Sequence, residues 1–244
     1  MAKRWIAAIA AAVLAGSIFA SVAIAEASSA KASRSLGYEP VLDPANFVSV
    51  IDNRYYPLPV GRVLIYKGVR EGRKQIDTVT VTKRTRVLEG ITATTILDIA
   101  REPNGTLIEK TMDWYAQDKW GNVWYLGEDT KAYNPDGTVD TSGSWQAGVN
   151  DAEPGIIMEA HPKVPDAYRQ EFLAGEAQDT AWIVRRGGSL TVPYGTVKHI
   201  LTSLEATVVE PGSYDSKIYA PGLGIVSEHS LTAQEDARLV RVKN

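Results

Sequence analysis

The sequence predicts an all-β protein in which an antiparallel sheet is wrapped into a barrel or half-barrel, with short helices only. Three observations lead to this prediction. Runs rich in β-branched residues alternate in polarity, turn-forming residues separate these runs about every ten positions, and helical periodicity is weak throughout. A sheet with this many strands has to curl or close, and a closed barrel usually encloses a pocket.

The first 25 residues have the order of a secretory signal. Lys3 and Arg4 precede a long uncharged run that closes with Ala23-Ile24-Ala25, a pattern that signal peptidase accepts. We predict a signal peptide over 1–25, a flexible tether of small polar residues over 26–37 and a single β-rich domain over 38–244. The alternative is an uncleaved anchor, because about 20 apolar residues can span a bilayer. After cleavage no membrane span is expected, and the protein is exported to a periplasmic or extracellular location.

Composition narrows the classes of function. The 244-residue chain has no cysteine, which excludes a disulfide framework, thiol catalysis, a cysteine-ligated metal and a lipid anchor on an N-terminal cysteine. The formal net charge is −3, and removal of Lys3 and Arg4 with the leader makes it −5. A mildly acidic protein is a poor candidate for nucleic acid or for an anionic membrane surface. We expect no nucleic-acid partner and no cofactor.

The strands are predicted from alternation and from turn chemistry. Gln75–Lys83 alternates β-branched residues on both faces, and Pro103-Asn104-Gly105 forms the strongest hairpin signal in the chain. Asn104 also begins a glycosylation sequon, although the turn is the preferred interpretation. The other predicted strands are Ile91–Ile99, Thr106–Gln117, Val123–Glu128, Tyr168–Leu173, Thr180–Arg185, Leu190–Val192, Lys198–Val209, Lys217–Tyr219, Gly224–His229 and Arg238–Val242.

Two kinds of segment interrupt this regular spacing. Residues 146–167 contain several glycines and prolines and are predicted to form a long loop with one short strand around Ile156–Met158. Asp43–Val50 and Thr232–Ala237 are the only candidates for short helices.

Two patches of sequence frame the body of the chain. They are Asn53-Arg54-Tyr55-Tyr56-Pro57-Leu58-Pro59-Val60-Gly61-Arg62 and Lys217-Ile218-Tyr219-Ala220-Pro221-Gly222-Leu223-Gly224-Ile225-Val226. Together with the central Asp113-Trp114-Tyr115 and Gly121-Asn122-Val123-Trp124-Tyr125 segments, they resemble a diffuse group of exported bacterial β-proteins, the TapB-like group. The resemblance implies a wrapped antiparallel sheet, and it transfers no catalytic residue.

An aromatic hairpin supplies the main candidate binding residues. Trp114 and Tyr115 are adjacent, as are Trp124 and Tyr125, so each pair points to opposite faces of a strand. The functional interpretation is a stacking platform for an apolar or amphipathic ligand, joined by Trp145. The structural interpretation is cross-strand aromatic pairing that stabilises the hairpin.

The same stretch is acidic. Between Asp113 and Glu159 lie nine acidic and two basic residues, whereas residues 60–90 have the opposite excess. An EF-hand centred on Asp136-Gly137 is rejected because its first and last ligand positions are occupied by Ala132 and Gly143. An irregular Ca²⁺ site and a set of solvated loop acids remain as alternatives.

Glu159 and His161 complete the set of candidate residues. They lie two positions apart in the irregular loop, where they could form an acid–base pair or an ordinary loop surface. The three histidines do not have zinc-site spacing, and the segment around Ser144 lacks the glycines of a nucleophile elbow.

Three hypotheses of function follow. The first is an exported, non-enzymatic protein that binds an apolar or amphipathic small molecule through Trp114, Trp124 and the 146–167 loop. The second is a hydrolase or metal-dependent enzyme, whose residues would be Asp113, Glu128, Glu159 and His161. The third is a purely structural envelope protein, which a filled barrel would favour.

Overall fold

A computed structural model of the protein describes residues 38–244. The predicted signal peptide and tether lie outside the described residues. The strands, numbered in chain order, are β1 Phe47–Val48, β2 Val63–Arg70, β3 Arg73–Leu88, β4 Ile91–Arg101, β5 Leu107–Asp118, β6 Val123–Tyr133, β7 Val139–Asp140, β8 Trp145–Gln146, β9 Glu153–Met158, β10 Ala167–Arg169, β11 Glu171–Phe172, β12 Asp179–Arg186, β13 Ser189–Val192, β14 Gly195–Lys198, β15 Leu201–Thr207, β16 Tyr214–Ala220, β17 Gly224–Ser230 and β18 Asp236–Lys243.

The all-β prediction is confirmed, and the antiparallel sheet is nearly closed into a barrel. The sheet runs from β12 through β15 to β18, then through β2 to β6, and ends at β9. One segment joins its two ends: β10 pairs with β12, while β11, two residues further on, pairs with β9. Only Gln170 separates these strands, so the wall has no long open edge there, which limits pairing with other chains. The β13–β14 hairpin forms a separate two-stranded sheet.

The barrel interior holds apolar and ionisable side chains next to each other. Leu64, Val79, Ile96 and Leu239 are buried apolar residues, and Ile96 lies directly opposite Asp113. Other inward positions hold ionisable side chains, which are buried as completely as the aliphatic ones. These are Asp77, Glu205, Asp215, Lys217 and Glu228. The strands therefore alternate between inward and outward residues without alternating between apolar and polar ones.

Most of the predicted strands are observed, with differences at their ends. The Asn104-Gly105 turn is confirmed, with Gly105 at a φ of 95° between β4 and β5. The predicted strand Lys198–Val209 is instead divided, because His199 adopts a φ of 56° and the chain turns there. β2, with the sequence Val-Leu-Ile-Tyr-Lys-Gly-Val-Arg, was not predicted as a strand.

Neither of the two candidates for a short helix forms an α-helix. Within Asp43–Val50 only Pro44–Asn46 forms a 3-10 turn, capped by the Asp43 side chain, which accepts a hydrogen bond from the Ala45 amide. Thr232–Ala237 is not helical, and its last two residues begin β18. Over residues 38–244, no helix has the length and apolar character needed to cross a membrane.

Candidate binding cleft

A cleft opens where β6 changes its pairing partner. Val123–Tyr125 pair with β9, whereas Gly127 and Glu128 pair with β8. A bulge lies at this point, because Trp114 is opposite Gly127 and Tyr115 is opposite Tyr125, which leaves one extra residue on β6. Gly127 has a φ of 131°, and a Cβ atom there would collide with the backbone of Trp145 and Gln146. Glycine thus allows β8 to approach and brings Trp145 to the cleft.

The cleft, called the Trp cleft below, has a volume of about 370 Å³. This volume is in the range of small-molecule sites. Two tryptophans, a set of polar side chains and two aliphatic residues line it: Arg86, Trp114, Glu128, Asp129, Ser144, Trp145, Gln146, Val149, Asn150, Leu173 and Glu176.

The two tryptophans are held by their neighbours in this cleft. The Arg86 guanidinium carbon lies 4.0 Å from the Trp114 ring centroid, and Arg86 also donates a hydrogen bond to the Gln146 side chain. Trp145 packs edge-on against Tyr125, with ring centroids 5.2 Å apart. The Trp145 indole N–H is buried and has no hydrogen-bond acceptor among the described residues. An unpaired buried donor is costly, so this N–H is a ready site for a ligand oxygen.

The electrostatic character of the Trp cleft is acidic. Three carboxylates, from Glu128, Asp129 and Glu176, line it together with one cation, Arg86. Glu128 is 1% exposed and Glu176 is exposed, so the cleft combines a buried carboxyl group with a solvated carboxylate. A cationic or hydrogen-bond-donating group is therefore favoured over an anion.

Tyr115 and Tyr125 lie in the barrel core, away from solvent. Their rings stack at 4.8 Å with an interplanar angle of 18°, and the Tyr125 hydroxyl donates to Asp113 at 2.8 Å. Tyr56 packs against Tyr115 at 5.4 Å. The internal cavity beside these rings, which Leu64 also lines, measures about 30 Å³. That volume holds one or two water molecules and excludes an organic ligand.

Trp124 lies on the outer face of β6 and outside the Trp cleft. Its indole N–H donates to Asp118 at 3.0 Å, and the same carboxylate accepts from the backbone amides of Trp120 and Asn122. Asp118 thus organises the β5–β6 turn, and Trp124 is part of that structure.

Glu159 and His161 line a second cleft of about 330 Å³, together with Trp120, Asn122, Ala160, Lys163 and Asp166. Burial and the negative charge of Asp166 together raise the pKa of Glu159 to about 7. Trp120 is 60% exposed and was not among the predicted site residues. The loop position that the sequence singled out therefore lies in a different cleft from Trp114 and Trp145.

The residues of the enzyme hypothesis lie in two separate places. Asp113 and Glu128 are buried cross-strand neighbours on β5 and β6, whereas Glu159 and His161 line the second cleft. Over residues 38–244, no group of three or more His, Cys, Asp or Glu side chains is arranged to hold a metal ion.

A buried ionic cluster lies inside the barrel and is formed by Ser203, Glu205, Lys217, Tyr219 and Glu228. Lys217 Nζ lies 2.6 Å from Glu205 Oε2, and the Ser203 hydroxyl donates to the other carboxylate oxygen at 2.8 Å. Glu228 is the cross-strand neighbour of Lys217. Burial opposes the charge of Lys217, but Glu205 and Glu228 outweigh it and raise the pKa of the amine. Burial raises the pKa of Glu228 well above its usual range.

Sequence reasoning missed this cluster because its members lie at ordinary strand positions. The only available signal was the spacing of Asp215, Lys217 and Tyr219 along one face of a strand. Alternation alone does not show which face points inward when both faces carry polar residues.

Comparison with known proteins gives two distant structural matches. One is a crystal structure from Bacteroides fragilis described as a "putative exported protein with YmcC-like fold", with a TM-score of 0.47 and 13% identity. The other is a crystal structure from Parabacteroides distasonis described as a "putative lipoprotein", with a TM-score of 0.43 and 13% identity. In each case the match covers 79% of this chain and 100% of the other.

No protein-family model matches the chain, and no curated protein matches it either. The two structural matches do not show the TapB-like group, so that resemblance stays a prediction.

Proposed function

We propose that the protein is an exported, non-catalytic binding protein whose amphipathic ligand occupies the Trp cleft. Export rests on the N-terminal Lys3-Arg4 segment, the uncharged run and the Ala23-Ile24-Ala25 site. Binding rests on one observation above all, a ligand-sized cleft lined by Trp145, whose buried indole N–H has no acceptor among the described residues.

The lining favours an amphipathic ligand over a purely apolar one. Leu173 and Val149 offer contacts to an apolar group, while the Glu176 carboxylate at the mouth of the cleft would lose its hydration against hydrocarbon. A ligand with an oxygen for the Trp145 N–H and a positive or donating group for the carboxylates satisfies both needs. Because Arg86 covers the Trp114 ring, the ligand displaces Arg86 or lies beside it.

Native mass spectrometry of the protein purified gently from its own host tests this proposal. We expect a retained small molecule in the wild type and its loss in Trp145→Phe, which keeps an aromatic ring but removes the N–H donor. Trp182→Phe is the matched control, because Trp182 is partly exposed on β12 and does not line the cleft. A wild-type mass without ligand, or equal retention in Trp145→Phe, would contradict the proposal.

A structural envelope role is the second candidate. The observation that favours it is the filled barrel, whose internal cavity beside Tyr115 measures only about 30 Å³. A protein that carries nothing in native mass spectra, and whose Trp145→Phe variant is indistinguishable from the wild type, would support this role.

A further inference from the structure

We propose that the outer face of the barrel formed by β18 and β2–β6 docks on a membrane surface rich in anionic phospholipid. The starting point is strand register, because side chains directly opposite each other on neighbouring strands share a face of the sheet. Three consecutive rows of outward positions can be followed across these strands.

The first row consists of Arg238, Lys67, Ile76 and Arg101, each opposite the next. The second row consists of Arg241, Ile65, Thr78, Ile99, Lys110 and Lys131. The third row consists of Lys243, Val63, Thr80, Leu97, Met112 and Asp129. Seven of these side chains are basic and one is acidic, and we call the three rows the basic face.

Most of the basic side chains are available to an outside partner. Lys67, Lys110, Lys131 and Arg241 are exposed, and none of them forms an ion pair with another described residue. Arg238 is the exception, since its Nε lies 3.2 Å from Asp236. Lys110 and Lys131 are directly opposite each other on β5 and β6. Two like charges in this arrangement repel each other unless an anion lies nearby.

The net charge of the chain conceals this arrangement. The chain as a whole is acidic, but many of its carboxylates are inside the barrel or at the Trp cleft, as Asp77, Glu205 and Glu228 show. The outer surface over β18 and β2–β6 is therefore far more basic than the mean charge suggests. An anionic surface is the complementary partner, and each Lys or Arg near such a surface contributes to binding.

The apolar residues of the basic face favour lipid over a soluble anionic polymer. Ile65, Ile99, Leu97 and Met112 are partly exposed between the basic side chains. Lys and Arg can lay their aliphatic stems along such positions while their charges reach lipid headgroups. The three rows contain no aromatic ring on which a sugar could stack.

Sedimentation with lipid vesicles tests the proposal, using the protein recovered after export. We expect binding to vesicles of phosphatidylcholine with 30% phosphatidylglycerol, weak binding to phosphatidylcholine alone, and release by about 0.5 M salt because exposed charges are then screened. The triple variant Lys67→Gln/Lys110→Gln/Lys131→Gln should bind roughly a hundredfold more weakly, at about fivefold for each lost charge.

The matched control is Arg185→Gln/Arg186→Gln/Lys198→Gln, which removes three exposed charges on β12 and β14, outside the basic face. This control should bind like the wild type. Equal binding to neutral and anionic vesicles, or wild-type binding by the first triple variant, would overturn the proposal. Retention on dextran sulfate without binding to anionic vesicles would also overturn it, in favour of a soluble polymer.

Discussion

At the scale of single residues, Lys217 is the buried cation of the ionic cluster inside the barrel. Its ion pair with Glu205 is 2.6 Å long, both side chains are 1% exposed, and Glu228 lies opposite on the next strand. Taking these charges out of water is costly, and only their mutual pairing offsets that cost. We therefore expect the ionic cluster to favour one packing arrangement of the barrel interior rather than to add much to the free energy of unfolding.

Replacing Lys217 with Met should lower the free energy of unfolding by about 3–5 kcal/mol at neutral pH, because two buried carboxyl groups lose their cation. The loss should shrink as the pH falls. The pKa of Glu228 is raised in the folded state. Such a carboxyl group stabilises the folded protein at pH values below its unfolded pKa. This contribution is lost as the pH rises through the folded pKa. Urea unfolding at acidic and neutral pH measures both effects.

Lys198→Met, at an exposed position on β14, serves as the control for this prediction and should change stability by less than about 0.5 kcal/mol. If Lys217→Met proved no more harmful than Lys198→Met at neutral pH, the description of the interior as a paired ionic cluster would be wrong.

At the scale of elements, the bulge between β5 and β6 creates the Trp cleft. It places Gly127 of β6 opposite Trp114, and at Gly127 and Glu128 the strand pairs with β8. The same strand pairs with β9 only two residues earlier. A single glycine at this junction thus links a local backbone conformation to the geometry of the proposed binding site.

Gly127→Ala should destabilise the protein by about 2–4 kcal/mol, since it combines a strained φ with a collision against the β8 backbone. It should also displace Trp145 and quench or shift its fluorescence. The control is Gly137→Ala, in an exposed turn at a φ of 86° with open space around the added methyl, which should cost about 1 kcal/mol. Equal costs in the two variants would show that β8 does not pack tightly on Gly127.

At the scale of the whole molecule, the fold class and many of the strands could be predicted from local alternation and turn chemistry. The Asn104-Gly105 hairpin shows why this works, because its turn requires positive φ and the flanking strands alternate. β2 was missed because Val63–Tyr66 is a continuous apolar run that has no period-two pattern.

The candidate site was only partly predictable. Trp114 and Trp145 were expected to act together and do share a cleft, but the register that unites them depends on a bulge whose sequence signal is a single glycine inside the strand, Gly127. Tyr115 and Tyr125 were proposed as ligand-binding residues and lie in the core, because adjacent strand residues point to opposite faces and the sequence does not say which is inside.

The measurement that tests the central proposal most directly is the NMR spectrum of the tryptophan indole N–H groups during titration with single-chain amphiphiles. The probes are dodecyltrimethylammonium, decyl maltoside and decanoate, each below its micelle concentration. We predict that the Trp145 and Trp114 signals shift while the Trp182 signal stays fixed, with the cationic probe binding most tightly because carboxylates outnumber Arg86 in the cleft. Shifts confined to Trp120 in the second cleft, or no shift at all, would contradict ligand binding at the Trp cleft.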